Sequence, residues 1–264
     1  MKFSQKMRGF TLVMALAGLT AACGGEAPKE GSKIKITNGM EIPNGEFPSV
    51  VLLYDAAAGS ICTGTFVTET IVLTAAHCSM SGRVDSDGNV DMTMSIIEIT
   101  DAANKEAEVV GTSTKVVRNP QWDRNGKNVN RYDLGLVYFE RGVARAVSEI
   151  ASKPARSGDQ FTIVGFGLSS NDQSTAGIKR MGENRVSSMS GGFIQFTGKS
   201  GTTNGDGTDS SAGSGDSGGP LFINGELAGV TSGGGWGGFG RTRSLYVDVH
   251  SDTSKEFLKK YLNY

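Results

Sequence analysis

The chain predicts an all-β fold, built as antiparallel barrels or as a sandwich. Three observations carry this reading: strand-like runs recur along the chain, glycine-containing turns separate them, and helical periodicity is confined to the C-terminal end. The 38 glycines cluster between β-branched or aromatic runs without a fixed period, the pattern of many tight turns.

The N-terminal segment stands outside that fold. Lys2, Lys6 and Arg8 form a basic start, Phe10 to Leu19 an apolar stretch too short to span a bilayer, and Thr20, Ala21 and Ala22 a small-residue exit. Residues 1–22 therefore read as a signal peptide and the protein as exported. LTAAC, Leu19 to Cys23, resembles the bacterial lipobox, with Thr20 where that pattern prefers leucine. This implies a lipid on Cys23 as the only membrane attachment; plain cleavage nearby is the alternative. Residues 23–35 are polar, contain Gly, Pro and Lys, and read as a tether or propeptide. An exported chain pairs its thiols, so three cysteines leave one to explain. Cys62 and Cys78 form one local bridge, and lipid accounts for Cys23.

Globular sequence starts near Ile36. The strand-like runs follow in order: PSVVLLY (48–54), GTFVTETIVLTA (64–75), MTMSIIEI (92–99), EAEVVGTSTKVV (106–117), DLGLVYF (133–139), QFTIVGFG (160–167), GFIQFTG (192–198), PLFIN (220–224), ELAGVTS (226–232) and SLYVDV (244–249). Ser251 or Asp252 can then cap a helix whose Phe257, Leu258, Tyr261 and Leu262 share one face. The acidic turn Asp85 to Asp91 has its glycine misplaced for an EF-hand and no closing glutamate, so it reads as a solvated turn, as does Asn204 to Ser211. Neither a metal nor a cofactor is expected. A formal net charge of -1 lacks the basic excess that nucleic-acid binding needs.

Chemistry concentrates in GDSGGP, Gly215 to Pro220. A serine hydroxyl is a poor nucleophile alone, so Ser217 needs a base, a group that orients the base, and oxyanion donors. The G-x-S-x-G elbow of α/β hydrolases requires an acid and then a histidine after the serine. Only His250 follows Ser217, too soon for the intervening strands and helices, and no β-α alternation precedes it. In the opposite order, His77 ends an apolar run in LTAAHC, and Asp133 opens DLGLVYF, where a carboxylate can be buried against an imidazole. Asp123 and Asp172 lie in polar stretches expected of surface loops.

TAAHC, the aspartate of DLGLVYF and GDSGGP, in that order, resemble the three catalytic signatures of the trypsin/chymotrypsin family of serine peptidases. The resemblance runs from Ile36 to the C-terminal helix. It implies two antiparallel six-stranded β-barrels, about 36–145 and 146–250, then a helix over about 251–263, with the active site in the cleft between barrels. Ser217 is then the nucleophile, His77 the proton carrier and Asp133 the group that holds the imidazole. The N–H groups of Gly215 and Ser217 form the oxyanion hole. The implied function is a serine endopeptidase that hydrolyses peptide bonds of proteins or peptides through an acyl-enzyme.

ITNG, Ile36 to Gly39, resembles the family's mature N-terminus and directly follows Lys35. This implies a zymogen in which cleavage after Lys35 frees an ammonium that pairs with Asp216 and orders the site. With Cys23 lipidated, the same cut releases the protein from its anchor. In this family the residue six before the serine, here Ser211, lies at the base of the S1 pocket. Ser232, Gly233, Gly234 and Ser244 would supply its walls. A neutral base favours large uncharged side chains, because burying an unpaired cation is costly. Such an enzyme does not process Lys35 itself, so an activating protease acts in trans. The family's usual cysteine between pocket base and serine is replaced by Gly213 or a neighbour. That leaves Asp209 as an alternative source of Arg/Lys preference. Two further readings compete: a non-catalytic homologue acting as a binding module, and an esterase using the same triad.

Overall fold

The computed structural model describes residues 36–101, 106–123, 129–169, 176–199, 205–238 and 240–262, together with a short strand, Leu12–Val13, that pairs with the strand Glu106–Thr112. Cys23, Lys35 and the rest of the 14–35 segment lie outside the described residues, as does Asp172.

The first sheet runs Glu106–Thr112, Ser95–Asp101, Val50–Asp55, Ser60–Phe66, Ile71–Thr74, Gly135–Tyr138, Lys115–Arg118, with the hairpin Arg83–Val84 and Asn89–Asp91 appended. The strands at the two ends of that row, 106–112 and 115–118, are one stretch of chain bent at Ser113 and Thr114. Ser113 N–H donates to Met94 C=O and Thr114 N–H to Tyr138 C=O (both 2.8 Å), so the sheet closes on itself. Counting the bent stretch once leaves six strands around the barrel.

The second sheet closes by the same device. Its row is Ser188–Ser190, Phe193–Lys199, Arg241–Asp248, Glu226–Trp236, Pro220–Ile223, Gln160–Gly165, Arg180–Arg185, with Met40–Glu41 outside it. Here 180–185 and 188–190 are the bent stretch, turning at Val186 and Ser187, whose N–H groups donate to Asp159 and Gln195. This is again a six-stranded antiparallel barrel.

Strand alternation sorts the core. In Val50–Asp55, Leu53 joins the interior of the first barrel with Phe66, Val72 and Val137, whereas its neighbour Leu52 faces the opposite way. Leu52, Leu73 and Leu136 pack outward into a cluster continuous with Ile163, Leu221 and Val230 of the second barrel. The two barrels are thus joined by apolar packing, each such side chain stabilising by about 1.5–3 kcal/mol when fully buried. The helix Asp252–Leu262 docks Phe257 and Leu258 onto the same cluster, and Ser254 N–H donates to Ser251 Oγ (3.2 Å) as an N-cap.

Two stretches differ from the sequence reading. The run 64–75 holds the end of one strand, a turn and the next strand of the hairpin Ser60–Phe66 and Ile71–Thr74, whose turn contains neither Gly nor Pro. Thr68 Oγ1 supplies that turn by accepting the Thr70 and Ile71 N–H groups (3.3 and 3.0 Å). Arg180–Arg185, RMGENR, is a strand that no hydrophobic alternation announces. Its buried Arg180 is held by Glu41 (2.7 Å) instead of by apolar contact.

Candidate active site

Register brings His77 to Asp133. Ile71–Thr74 and Gly135–Tyr138 pair antiparallel with Thr74 opposite Gly135, so the chain just beyond Thr74 lies beside the chain just before Gly135. His77 sits in the single turn Ala76–Ser79 on the first side and Asp133 on the second. His77 Nδ1 lies 2.8 Å from Asp133 Oδ2, and the His77 backbone N–H donates to Asp133 Oδ1 (2.9 Å). The Cys62–Cys78 disulfide fastens this turn to the strand Ser60–Phe66. His77 and these two sulfurs lie close together, but the sulfurs are bonded to each other and offer no thiolate to a metal.

Asp133 is fully buried and also accepts a hydrogen bond from Ser232 Oγ (2.5 Å). Burial pushes the His77 pKa down, yet the charge of Asp133 and its hydrogen bond outweigh that and hold it above the usual 6.5. An imidazole so held keeps Nδ1–H on the carboxylate and leaves Nε2 to accept a proton.

Ser217 lies in the turn leading into the strand Pro220–Ile223, half-buried between the barrels. Gly215 has φ +94°, and a Cβ there would meet Gly167 Cα at 2.9 Å, so only glycine fits. Asp216 turns inward beneath the loop: its carboxylate accepts the N–H groups of Gly167 (2.8 Å), Gly213 (2.6 Å) and Ile36. Burial raises its pKa to about 7 against the opposing pull of those donors and of nearby Arg180. Among the described residues, neither the Gly215 nor the Ser217 N–H donates to another protein group. Backbone donors with no protein partner are what a developing oxyanion requires.

The remaining residues singled out in the sequence fall around this loop. Ser211 is fully buried; its Oγ lies 2.7 Å from Thr37 Oγ1 and donates to Lys199 C=O (3.1 Å). Thr37 and Ser211 also exchange backbone hydrogen bonds (3.0 and 3.3 Å), which seats the segment after Ile36 against the 211–217 stretch. Ser244 Oγ accepts the Ala212 N–H (3.0 Å), and Ser244 pairs across the sheet with Gly234. Buried Ser211 and Ser244 and half-buried Gly234 are therefore neighbours in one wall. Ser232 differs in that its hydroxyl serves Asp133. Asp209 carries both oxygens to Arg241 (2.9 and 2.6 Å). His250 lies elsewhere, its Nε2 against Ala151 C=O (2.7 Å) beside the C-terminal helix.

Three residues at the site carried no sequence signal: Ser232 as a partner of Asp133, Thr37 as a partner of Ser211, and Thr63, whose N–H and hydroxyl both reach the serine loop. Each is a small hydroxyl residue inside an unremarkable strand or turn, visible only once the chain is folded.

Among known sequences, the family model described as Trypsin matches residues 36–255. Trypsin 5G1 of Aedes aegypti is 26% identical over 232 residues, covering 82% of this chain and 80% of that protein. A Beta-fibrinogenase-like protein of Daboia siamensis is 28% identical over 212 residues, 76% of each. A Trypsin-like protease of Streptomyces glaucescens is 29% identical over 136 residues, 50% of this chain and 44% of that protein.

Proposed function

Since this chain belongs to the trypsin family and is a serine endopeptidase acting on proteins or peptides, we propose that Ser217, His77 and Asp133 are its catalytic triad and that Gly215 and Ser217 supply its oxyanion donors. The observation that carries this is the buried Asp133 carboxylate 2.8 Å from His77 Nδ1, beside a glycine-framed serine. Ser217 Oγ attacks the scissile carbonyl while His77 Nε2 takes its proton. The tetrahedral oxyanion forms against the two free N–H groups, each worth roughly 3–4 kcal/mol of barrier. His77 then returns the proton to the leaving amine, and water repeats the sequence on the acyl-enzyme. Casein hydrolysis by the wild type, lost by at least about 10³-fold in Ser217→Ala, supports the reading. Undiminished hydrolysis by that variant eliminates it, and absence of hydrolysis by the wild type would instead favour a binding module.

The substrate pocket is read as uncharged. Ser211 and Thr37 commit their hydroxyls to each other and to Lys199 C=O, and Asp209 is neutralised by Arg241. Among the described residues, neither Ser211 nor Asp209 therefore offers a free carboxylate to an Arg or Lys side chain, which favours large uncharged P1 residues over the trypsin-like alternative through Asp209. Fluorogenic substrates differing only at P1 test this: faster turnover of Arg or Lys than of Phe, Tyr or Leu contradicts it.

Activation by cleavage after Lys35 belongs to the same reading. Its support is that Ile36 is buried with its nitrogen on Asp216, so cutting the preceding bond adds a positive charge to a seat already built. A pocket without a countercharge leaves that cut to another protease. With the protein exported and Cys23 lipidated, activation and release from the envelope are one event. N-terminal sequencing of active protein should begin ITNG.

A further inference from the structure

We propose that Thr63 is a positioning residue for catalysis: its hydroxyl and backbone, delivered from the first barrel, set the conformation of the loop whose N–H groups receive the oxyanion. The inference rests on the assignment of Ser217 as nucleophile and of Gly215 and Ser217 as oxyanion donors. Thr63 lies in the strand Ser60–Phe66, immediately after Cys62, and is fully buried. Its Oγ1 donates to Gly215 C=O (3.0 Å), and its N–H donates to Ser217 C=O (2.8 Å). The two anchored carbonyls bracket Asp216. The peptide between them, which carries the Ser217 N–H, thus has both flanking peptide planes held from across the cleft. The same anchor on Gly215 C=O fixes the plane against which the Gly215 N–H is aimed.

The hydroxyl is itself held. Thr63 Oγ1 accepts the Phe166 N–H (3.2 Å), so its lone pair faces the second barrel and its proton faces the loop. The next residue, Gly167, donates to Asp216 Oδ1 (2.8 Å), which extends the hold beneath the loop. Thr63 C=O in turn accepts Thr74 Oγ1–H (2.8 Å), in the strand that leads to His77. A Cβ at Gly218 would lie 2.0 Å from Thr74 Oγ1 and 2.4 Å from Thr63 O, so glycine is needed for the loop to settle on this pair. One threonine therefore holds the oxyanion loop by two hydrogen bonds, while a third ties it to Phe166 of the second barrel and a fourth to Thr74 of its own. A valine of the same shape would leave Gly215 C=O and the Phe166 N–H without this partner.

The test compares T63V, T63A and T63S with wild type in the active enzyme, all rates expressed per active site titrated with a fluorophosphonate. T63V and T63A are expected to lower kcat about 10- to 100-fold, below the 10²- to 10³-fold loss of a whole donor. KM stays within about twofold, since the loop's effect appears in the transition state. T63S, which keeps the hydroxyl, restores kcat to near the wild-type value. A peptide aldehyde, whose adduct places an oxyanion in the hole, should weaken in T63V by the same factor as kcat, while a non-covalent peptide ligand binds unchanged. A purely structural role lowers the melting temperature and the titratable fraction but leaves kcat per site and aldehyde affinity untouched; that outcome overturns the proposal. Failure of the underlying assignment looks different: Ser217→Ala remains active, or the aldehyde does not inhibit wild type.

Discussion

At the residue scale the site is an electrostatic arrangement around one buried carboxylate. Asp133 receives the His77 backbone N–H, the imidazole and Ser232 Oγ, and its charge is what holds the His77 pKa above 6.5. Because His77 in the proposed role of base must be neutral, kcat/KM should rise with pH along a limb whose midpoint lies above 6.5. In Asp133→Asn the charge is gone and burial alone remains. The midpoint then moves below its wild-type position, and kcat falls by roughly 10³- to 10⁴-fold from loss of the correct tautomer. A pH–rate profile of both forms checks this; an unshifted midpoint contradicts the electrostatic account. The triad candidates were legible because three short motifs name them in order. Ser232 and Thr63 were not, since a hydroxyl that donates to a distant backbone or carboxylate leaves no pattern in its own neighbourhood.

At the element scale, pairing register places the chemistry. Thr74 opposite Gly135 brings His77 to Asp133, and the Cys62–Cys78 bridge secures the turn between. The bridge spans 16 residues, so replacing both cysteines by serine should cost about 3 kcal/mol of folding stability. Denaturant unfolding in urea measures it; an unchanged midpoint means the turn is held by the Asp133 contacts alone. Strands with strong alternation, such as Phe193–Lys199 and Arg241–Asp248, were readable because each buries one face. RMGENR was not, because its buried Arg180 is satisfied by an ion pair with Glu41 and by backbone carbonyls. The 64–75 run concealed a turn because Thr68 makes it without Gly or Pro.

At the scale of the whole molecule, two barrels closed by bent strands meet across an apolar seam, and the loop carrying Ser217 is fixed from both sides of it. Barrel closure was beyond composition, which left barrels and sandwich alike open; it came from the family resemblance and is visible in the bent stretches 106–118 and 180–190. The proposed activation has a pH signature on this scale. In the intact chain Asp216 titrates near 7, raised by burial from its ordinary 3.8. A raised folded-state pKa means the protonated form is favoured in the fold, so its stabilising contribution is present below about pH 4 and is lost as pH rises through 7. A freed Ile36 ammonium supplies the missing charge. The melting temperature of the cleaved form should therefore exceed that of the intact form by more at pH 8 than at pH 5. An equal gap at both pH values argues against Ile36–Asp216 pairing.

The central claim is that Ser217 is a nucleophile activated by His77. Mass spectrometry of peptides from protein cleaved after Lys35 and then treated with a fluorophosphonate tests it most directly. The account predicts one stoichiometric adduct on Ser217, absent in Ser217→Ala and formed at least about 10³-fold more slowly in His77→Ala. An adduct on another residue, or labelling of Ser217 that is indifferent to His77, contradicts it.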